Sequence, residues 1–234
     1  MIEIRPFTSL GHANHGWLNA HHHFSFANYY DPARLHWGRL RVWNDDLIAP
    51  QTGFPTHPHA DMEIVTYVRK GAITHRDTVG NEGRTEAGDV QVMSAGTGIA
   101  HSEYNLEDED TLIFQIWMIP DQQGHKPSWG QRPFPKKSRE GQFVALASGF
   151  PEDKDTALPI HTPGRVLGST LRAGQSLTYS LNPQHKAYLV PSTGTIDVNG
   201  HRANTRDGVA IENEETLTIT AHDDAELVMV ETAS

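Results

Sequence analysis

Two short segments carry side chains spaced for chemistry: Thr56-His57-Pro58-His59 and Ala100-His101-Ser102-Glu103. In an extended strand residues i and i+2 point to the same side. His57 therefore shares a face with His59, and His101 with Glu103. If the two segments are neighbouring strands of one barrel, three imidazoles and a carboxylate converge inside it. That set suits a borderline divalent ion: iron(II), copper(II), nickel(II), manganese(II) or zinc(II). Four protein ligands leave an octahedral ion two open positions, for a substrate oxygen and dioxygen or for two waters. Structural zinc sites are instead closed and commonly use cysteine, and this chain has none. Glu63 competes with Glu103 as the carboxylate, because it follows His59 by four residues and on an unbroken strand would share its face. Glu103 is favoured, since with His101 it repeats the geometry of the first histidine pair. Glu63 then reads as a group that orients an imidazole.

The elements that must hold these side chains are β-strands. Met62–Val68, Ala72–Asp77 and Val90–Ser94 are predicted strands joined by glycine turns, and Thr111–Ile119 a buried one. Upstream, Arg39–Trp43 alternates as a strand, which Asn44-Asp45-Asp46 is expected to break as a solvated turn. Gln51–Pro55 is a breaker-rich approach to the first histidine pair. Residues 1–31 are predicted to form an irregular arm with one or two strands. Within it His21-His22-His23 reads as a strand or loop with polar side chains on both faces rather than a metal tract. Pro120–Gly141, rich in glycine and proline, is the expected linker, and Lys136-Lys137-Ser138-Arg139 its solvated basic run. A second β series follows, from Gln142–Leu146 to Glu226–Glu231, with the short strands and turns of a sandwich or barrel. No long amphipathic helix is evident.

A faint internal repeat links the halves. Val68–Gly71-Ala72-Ile73, then Gly88-Asp89-Val90, matches Val190–Gly194-Thr195-Ile196, then Asp207-Gly208-Val209. The pattern predicts two similar barrels in tandem. In the second copy Ser180 and Asn182 stand where His57 and His59 stand in the first, and His222 alone falls near the place of His101. A metal is thus expected in the first half only.

Composition bounds the partners. The net charge of −10 argues against wholesale binding of a phosphate backbone, so direct contact with nucleic acid is not expected. No apolar run approaches the roughly 20 residues that span a bilayer. The opening Met1-Ile2-Glu3-Ile4-Arg5-Pro6 lacks the basic and apolar regions of a secretory leader. Together with the absence of cysteine this gives a cytoplasmic expectation. The fifteen histidines favour imidazole chemistry and also make chance His-x-His matches commoner.

The motifs resemble those of the cupin superfamily and, more closely, the pirin family. The first cupin motif reads Gly53, His57-x-His59-x3-Glu63, Gly71; the second reads Gly88, Gly96, His101-x3-Asn105. They depart from the general pattern in spacing, with three residues between Gly53 and His57 and four between Gly96 and His101. Thr56–His59, Glu63–Val68 and Met93–Glu103 look like pirin signatures, and Gly11–Trp17 and Phe24–Pro32 like those of the bacterial branch. The resemblance implies an all-β bicupin, two tandem double-stranded β-helix (jelly-roll) barrels. Residues 1–138 would form the metal-binding barrel, with His57, His59, His101 and Glu103 as ligands, and residues 139–234 a barrel without metal. Iron(II) is the ion it favours. Members of the bacterial branch are described as quercetin 2,3-dioxygenases, and animal pirins as iron-containing nuclear co-regulators.

The implied reaction is opening of a flavonol with dioxygen to a depside and carbon monoxide. Glu103 would serve as the catalytic base for the 3-hydroxyl, and Phe24, Phe26 or Trp43 would pack on the flat rings. Two other readings remain: a regulatory module presenting a metal-dependent surface to a protein partner, and an enzyme acting on another enolic or phenolic substrate.

Overall fold

Strand-forming runs pair into two copies of one arrangement. The computed structural model describes residues 1–233. In the first half a seven-stranded sheet runs in the order Ser128–Arg132, Val90–Ser94, Glu63–Lys70, Thr111–Met118, Leu40–Ile48, Leu18–His22, Gly11–Asn14. A four-stranded sheet, Thr52–His59, Ile99–Asn105, Ala72–Asp77, Glu82–Glu86, closes over it. The second half repeats this. Seven strands lie in the order Ile2–Arg5, Gly208–Glu212, His185–Thr193, Ala225–Ala233, Gly164–Leu171, Val144–Ser148, Leu158–Pro159. The four strands of its second sheet are Ser176–Ser180, Thr216–Ala221, Ile196–Val198 and His201–Ala203. This is the bicupin architecture expected from the repeat. Among the described residues helix is confined to three single 3-10 turns, and no helix is long and apolar enough to cross a membrane.

Alternation along the strands of each large sheet sends one set of side chains into its own barrel and the other toward the second barrel. Trp43, Val65, Tyr67, Phe114 and Ile116 of the first large sheet meet Tyr188, Val190, Val228 and Val230 of the second in one buried cluster. The second barrel is filled by aliphatic residues, including Leu167, Leu189, Val209, Leu217, Ile219 and Met229. The first has no such continuous filling. Its apolar interior is split into a cluster around Ile48, Val68, Ile73 and Ile113 and another around Ile64, Met93 and Ile99.

Several expectations need correction. Asn44-Asp45-Asp46 does not break its strand, which continues to Ile48 with both aspartates buried. Asp45 is held there by Arg69 and Arg206, and such pairing is what allows a carboxylate inside a sheet. Gln51–Pro55 likewise lies largely within a strand, Thr52–His59. That strand is at a sheet edge, where Pro55 and Pro58 withhold no interior hydrogen bond.

The arm contributes three strands rather than one or two, and the first, Ile2–Arg5, joins the sheet of the second barrel. The linker contains the edge strand Ser128–Arg132, paired with Val90–Ser94. Its basic run is not wholly solvated: Arg139 is buried and donates to the Tyr67 hydroxyl at 2.9 Å and the Gly88 carbonyl at 3.3 Å. We propose residues 138 and 139 as the division between the barrels, with the exchanged first strand excepted.

Candidate metal centre

The two histidine-bearing segments are neighbouring antiparallel strands. His57 lies directly opposite His101, and His59 opposite Ile99. Beyond His101 the ladder slips by one residue, so that Glu103 faces Phe54. This bulge falls beside Pro55, which has no N–H to give. The two strands run close: a Cβ on Gly53 would stand 2.2 Å from the Glu103 carbonyl oxygen.

One ligand atom each from His57, His59 and His101 lie within 4.8 Å of one another, a group that could hold a metal ion. His57 donates Nδ1–H to the Pro55 carbonyl at 2.7 Å, leaving Nε2 as a bare lone pair. His101 is buried, and its Nε2 has no hydrogen-bond partner among the described residues. A buried polar atom without a partner is costly, and a cation between the three rings removes that cost. Burial, with the neighbouring rings adding to it, lowers the pKa of His101 to about 3 and of His59 to about 4. Near neutral pH both rings are therefore uncharged, as ligation requires. The residues fit a divalent metal ion.

His101 is oriented from behind. Its Nδ1 lies 3.4 Å from Nδ1 of His75, whose Nε2 lies 2.8 Å from Oδ2 of Asp77. A carboxylate only accepts, so His75 carries its proton on Nε2 and accepts at Nδ1. His101 must then donate from Nδ1, which leaves Nε2 free. Burial alone would raise the Asp77 pKa, but hydrogen bonds from His75 and Asn81 outweigh it and hold it below the usual carboxylate range. His75 is stacked on Trp129 at 4.8 Å and 9°. Trp129 in turn occupies the space over Gly83, where a Cβ would come within 2.3 Å of its ring. The supposed linker strand thus locks His75.

Glu103 sits over a polar row. Gln91, Thr66, Gln115 and Asn44 lie side by side across four strands of the large sheet. Gln91 Nε2 and Thr66 Oγ1 donate to Oε1 of Glu103 at 2.8 and 3.2 Å, and Gln115 Nε2 donates to Oε2 at 2.7 Å. With one donor against two, Oε2 keeps the freer lone pairs. Glu63 is placed differently. The chain leaves the first strand at His59, turns through Asp61 (φ +47°) and enters the large sheet at Glu63. The parity that would have aligned Glu63 with His59 is lost. Its Oε2 accepts from Ser94 Oγ at 2.6 Å and from the His161 backbone N–H at 3.1 Å.

These features coincide with a known family. Residues 3–118 match the Pirin family model, and residues 145–232 match the Quercetinase C-terminal cupin domain. The chain is 64% identical over 233 residues to a pirin-like protein of Caulobacter vibrioides, covering all of both chains. The chain belongs to the pirin family. To the quercetin 2,3-dioxygenase of Escherichia coli K12 this pirin is 40% identical over 230 residues, covering 98% of this chain and 97% of that one. Its fold matches YhhW of Escherichia coli with a TM-score of 0.94 at 39% identity, over 99% of this chain and 97% of that one. A structure of bacterial pirin YhhW in complex with nickel(II) matches with a TM-score of 0.93 at 38% identity, over 100% and 99%.

Around the pirin's imidazoles, the aromatic wall differs from the one expected. Phe24 and Trp43 are fully buried between the barrels and contact Tyr188. Of the three expected rings, Phe26 approaches the site, through Trp117: Phe26 meets Trp117 at 5.5 Å, and Trp117 meets His59 at 5.0 Å, both edge-on. A cleft of about 550 Å³ opens beside His59, lined also by Thr78, Gly98 and Ile99. Of the other histidines, His22 bonds Asn44 and His23 bonds the Tyr188 hydroxyl, both buried. In the second barrel Ser180 and Asn182 are exposed, and His222 pairs with Asp197 at 2.8 Å.

Proposed function

We propose that this pirin is a metal-dependent dioxygenase that opens the central ring of quercetin-like flavonols, giving a depside and carbon monoxide. The observation that carries the proposal is the convergence of three imidazoles, one with an orphaned buried Nε2, beside an open cleft. The names of the relatives at 40% identity support the choice of substrate. His57, His59, His101 and Glu103 would hold one divalent ion, for which we favour iron(II). When bound, the ion supplies Lewis acidity for an enolic oxygen and a centre for dioxygen chemistry.

The chain's own residues do the rest. Glu103 takes the proton of the flavonol 3-hydroxyl at Oε2, the oxygen with fewer donors. Gln91 and Thr66 keep the carboxylate fixed through Oε1 while this happens. The edge of Trp117, backed by Phe26, offers a wall for a flat aromatic substrate. The cleft volume falls within the range of small-molecule sites.

The test is oxygen uptake and carbon monoxide release by metal-loaded protein on addition of quercetin, with an anaerobic control. Glu103→Gln is expected to lose turnover and most of the metal, whereas Glu63→Gln keeps the metal. No oxygen uptake by the wild type with any of the five divalent ions would sink the proposal. Full metal occupancy and turnover in Glu103→Gln would remove Glu103 from it.

A further inference from the structure

A second polar centre lies on the other face of the same large sheet, at the rim between the barrels. Asp45 faces outward there, where Asp46 faces into the first barrel. The two oxygens of Asp45 are taken by two guanidinium groups from different barrels. Arg69 of the first barrel donates from Nη2 to Oδ1, and Arg206 of the second from Nε to Oδ2 at 2.5 Å. One carboxylate thus serves two cations and leaves one positive charge in excess. Nearby Asp207 is occupied by the backbone N–H groups of Phe7 and Asn204, at 2.7 and 2.9 Å.

Beside these groups is a pocket of about 260 Å³, lined by Asn19, His21, Leu47, Arg69, Leu112 and Arg206. Two of its lining residues carry buried polar atoms with no partner among the described residues: Nε of Arg69 and Nδ1 of His21. The Arg69 side chain is only 9% exposed. Its environment is rigid. Arg69 lies over the Phe114 ring at 4.5 Å, and Arg206 over Phe7 at 3.9 Å. His21 is stacked on His12 at 4.6 Å and meets Phe7 at 4.3 Å with the rings tilted by 40°. Arg206 also adopts φ +71°, a left-handed conformation that disfavours side chains other than glycine. Strain of that kind persists where the surroundings enforce it, and here it delivers a guanidinium to the pocket.

We propose that this pocket binds a small oxyanion, a carboxylate or a phosphate, through Arg69 and Arg206 with His21 and Asn19. Guanidinium groups match such ions by paired, charge-assisted hydrogen bonds. The volume is below that of sites for drug-sized molecules, so the ligand is a small ion rather than a nucleotide. Because the two arginines come from different barrels, the ion would act as a clamp across the interface. None of these groups belongs to the imidazole site, so the proposal stands apart from the dioxygenase reading.

The test measures the thermal midpoint of full-length, metal-loaded protein against inorganic phosphate and, separately, acetate, with sodium chloride at matched ionic strength. A ligand held by the folded state raises the midpoint along a saturating curve. Arg206→Gln is expected to weaken that response at least tenfold. Leu112→Glu, which tethers a carboxylate in the pocket, is expected to raise the midpoint without added anion and abolish the response. A response to phosphate alone or acetate alone identifies the oxyanion class. A non-saturating rise equal to the chloride control, or variants that respond like the wild type, would overturn the proposal.

Discussion

Replacing His75 by phenylalanine isolates the device that prepares His101. The new ring keeps the stack on Trp129 but removes both nitrogens, so the link from Asp77 to His101 is cut. In the wild type that link leaves His101 one tautomer, with Nε2 bare and facing no protein donor. In the variant Nδ1 of His101 is buried without an acceptor, and the Nε2–H tautomer, which cannot ligate, becomes competitive. The loss is one buried hydrogen bond supported by a carboxylate, about 1.5–3 kcal/mol, or roughly ten- to hundredfold in metal affinity at about 1.4 kcal/mol per decade. Asp77→Asn keeps an oxygen acceptor for His75 and should lose less than tenfold. The assay is competition for nickel(II) or zinc(II) against a chromophoric chelator, with the thermal midpoint of the metal-free proteins as a folding control. A His75→Phe protein that folds as the wild type and binds metal within twofold of it would refute the orienting role.

Two further outcomes follow from the same geometry. His101 and His59 have pKa values lowered from 6.5 to about 3 and about 4 in the metal-free fold. Below pH 6.5 the unfolded chain therefore binds more protons than the folded one, and stability falls as pH falls. His101 alone should cost roughly 2–3 kcal/mol between pH 6.5 and 4.5, with a smaller cost from the more exposed His59; a urea midpoint for metal-free protein that is flat across that range would contradict this. Gly53→Ala places a methyl group 2.2 Å from the Glu103 carbonyl oxygen and 2.5 Å from the Tyr104 Cα. Neither atom can swing aside, so the strand should shift at a cost of about 1–3 kcal/mol, with weaker metal binding because His57 and His101 face each other across that ladder; unchanged stability and affinity would show that the close approach is not structural.

Much of this was legible in the residues, because the informative signals were local. The pair His57-x-His59 and His101 pointed to the three imidazoles that converge, a group that does not include Glu103, and the repeat with Ser180 and Asn182 assigned it to one half. The same spacing rule, applied to His75-x-Asp77 within the predicted strand Ala72–Asp77, would have found the orienting pair. Gln91, Thr66 and Gln115 were detectable too, each a lone polar residue in an apolar run, but only the register reveals that they form one row. Other features depended on partners far along the chain. Asp45 looks like a turn residue until Arg69 and Arg206 arrive from other strands. Pro120–Gly141 looks like a linker until Trp129 finds its place over Gly83 and His75. Glu63 kept its apparent alignment with His59 only while the turn at Asp61 was unseen.

The contrast between the barrels explains why one backbone plan serves two purposes. Across the large sheet of the second barrel, Val209, Leu189, Met229 and Leu167 lie side by side and belong to one aliphatic cluster. Across the corresponding sheet of the first runs the row Gln91, Thr66, Gln115, Asn44. A polar row inside a barrel gives up apolar burial at about 25 cal/mol per Å² and is tolerable only where every group finds a partner. Here Gln91, Thr66 and Gln115 find that partner in Glu103, which accepts one hydrogen bond from each, and Asn44 finds it in His22. The aliphatic barrel, filled and joined to the first by the aromatic cluster around Trp43, Phe114 and Tyr188, supplies the stability that the polar interior forgoes. A chain that filled both barrels would gain core and lose the only place among its described residues where three imidazoles meet.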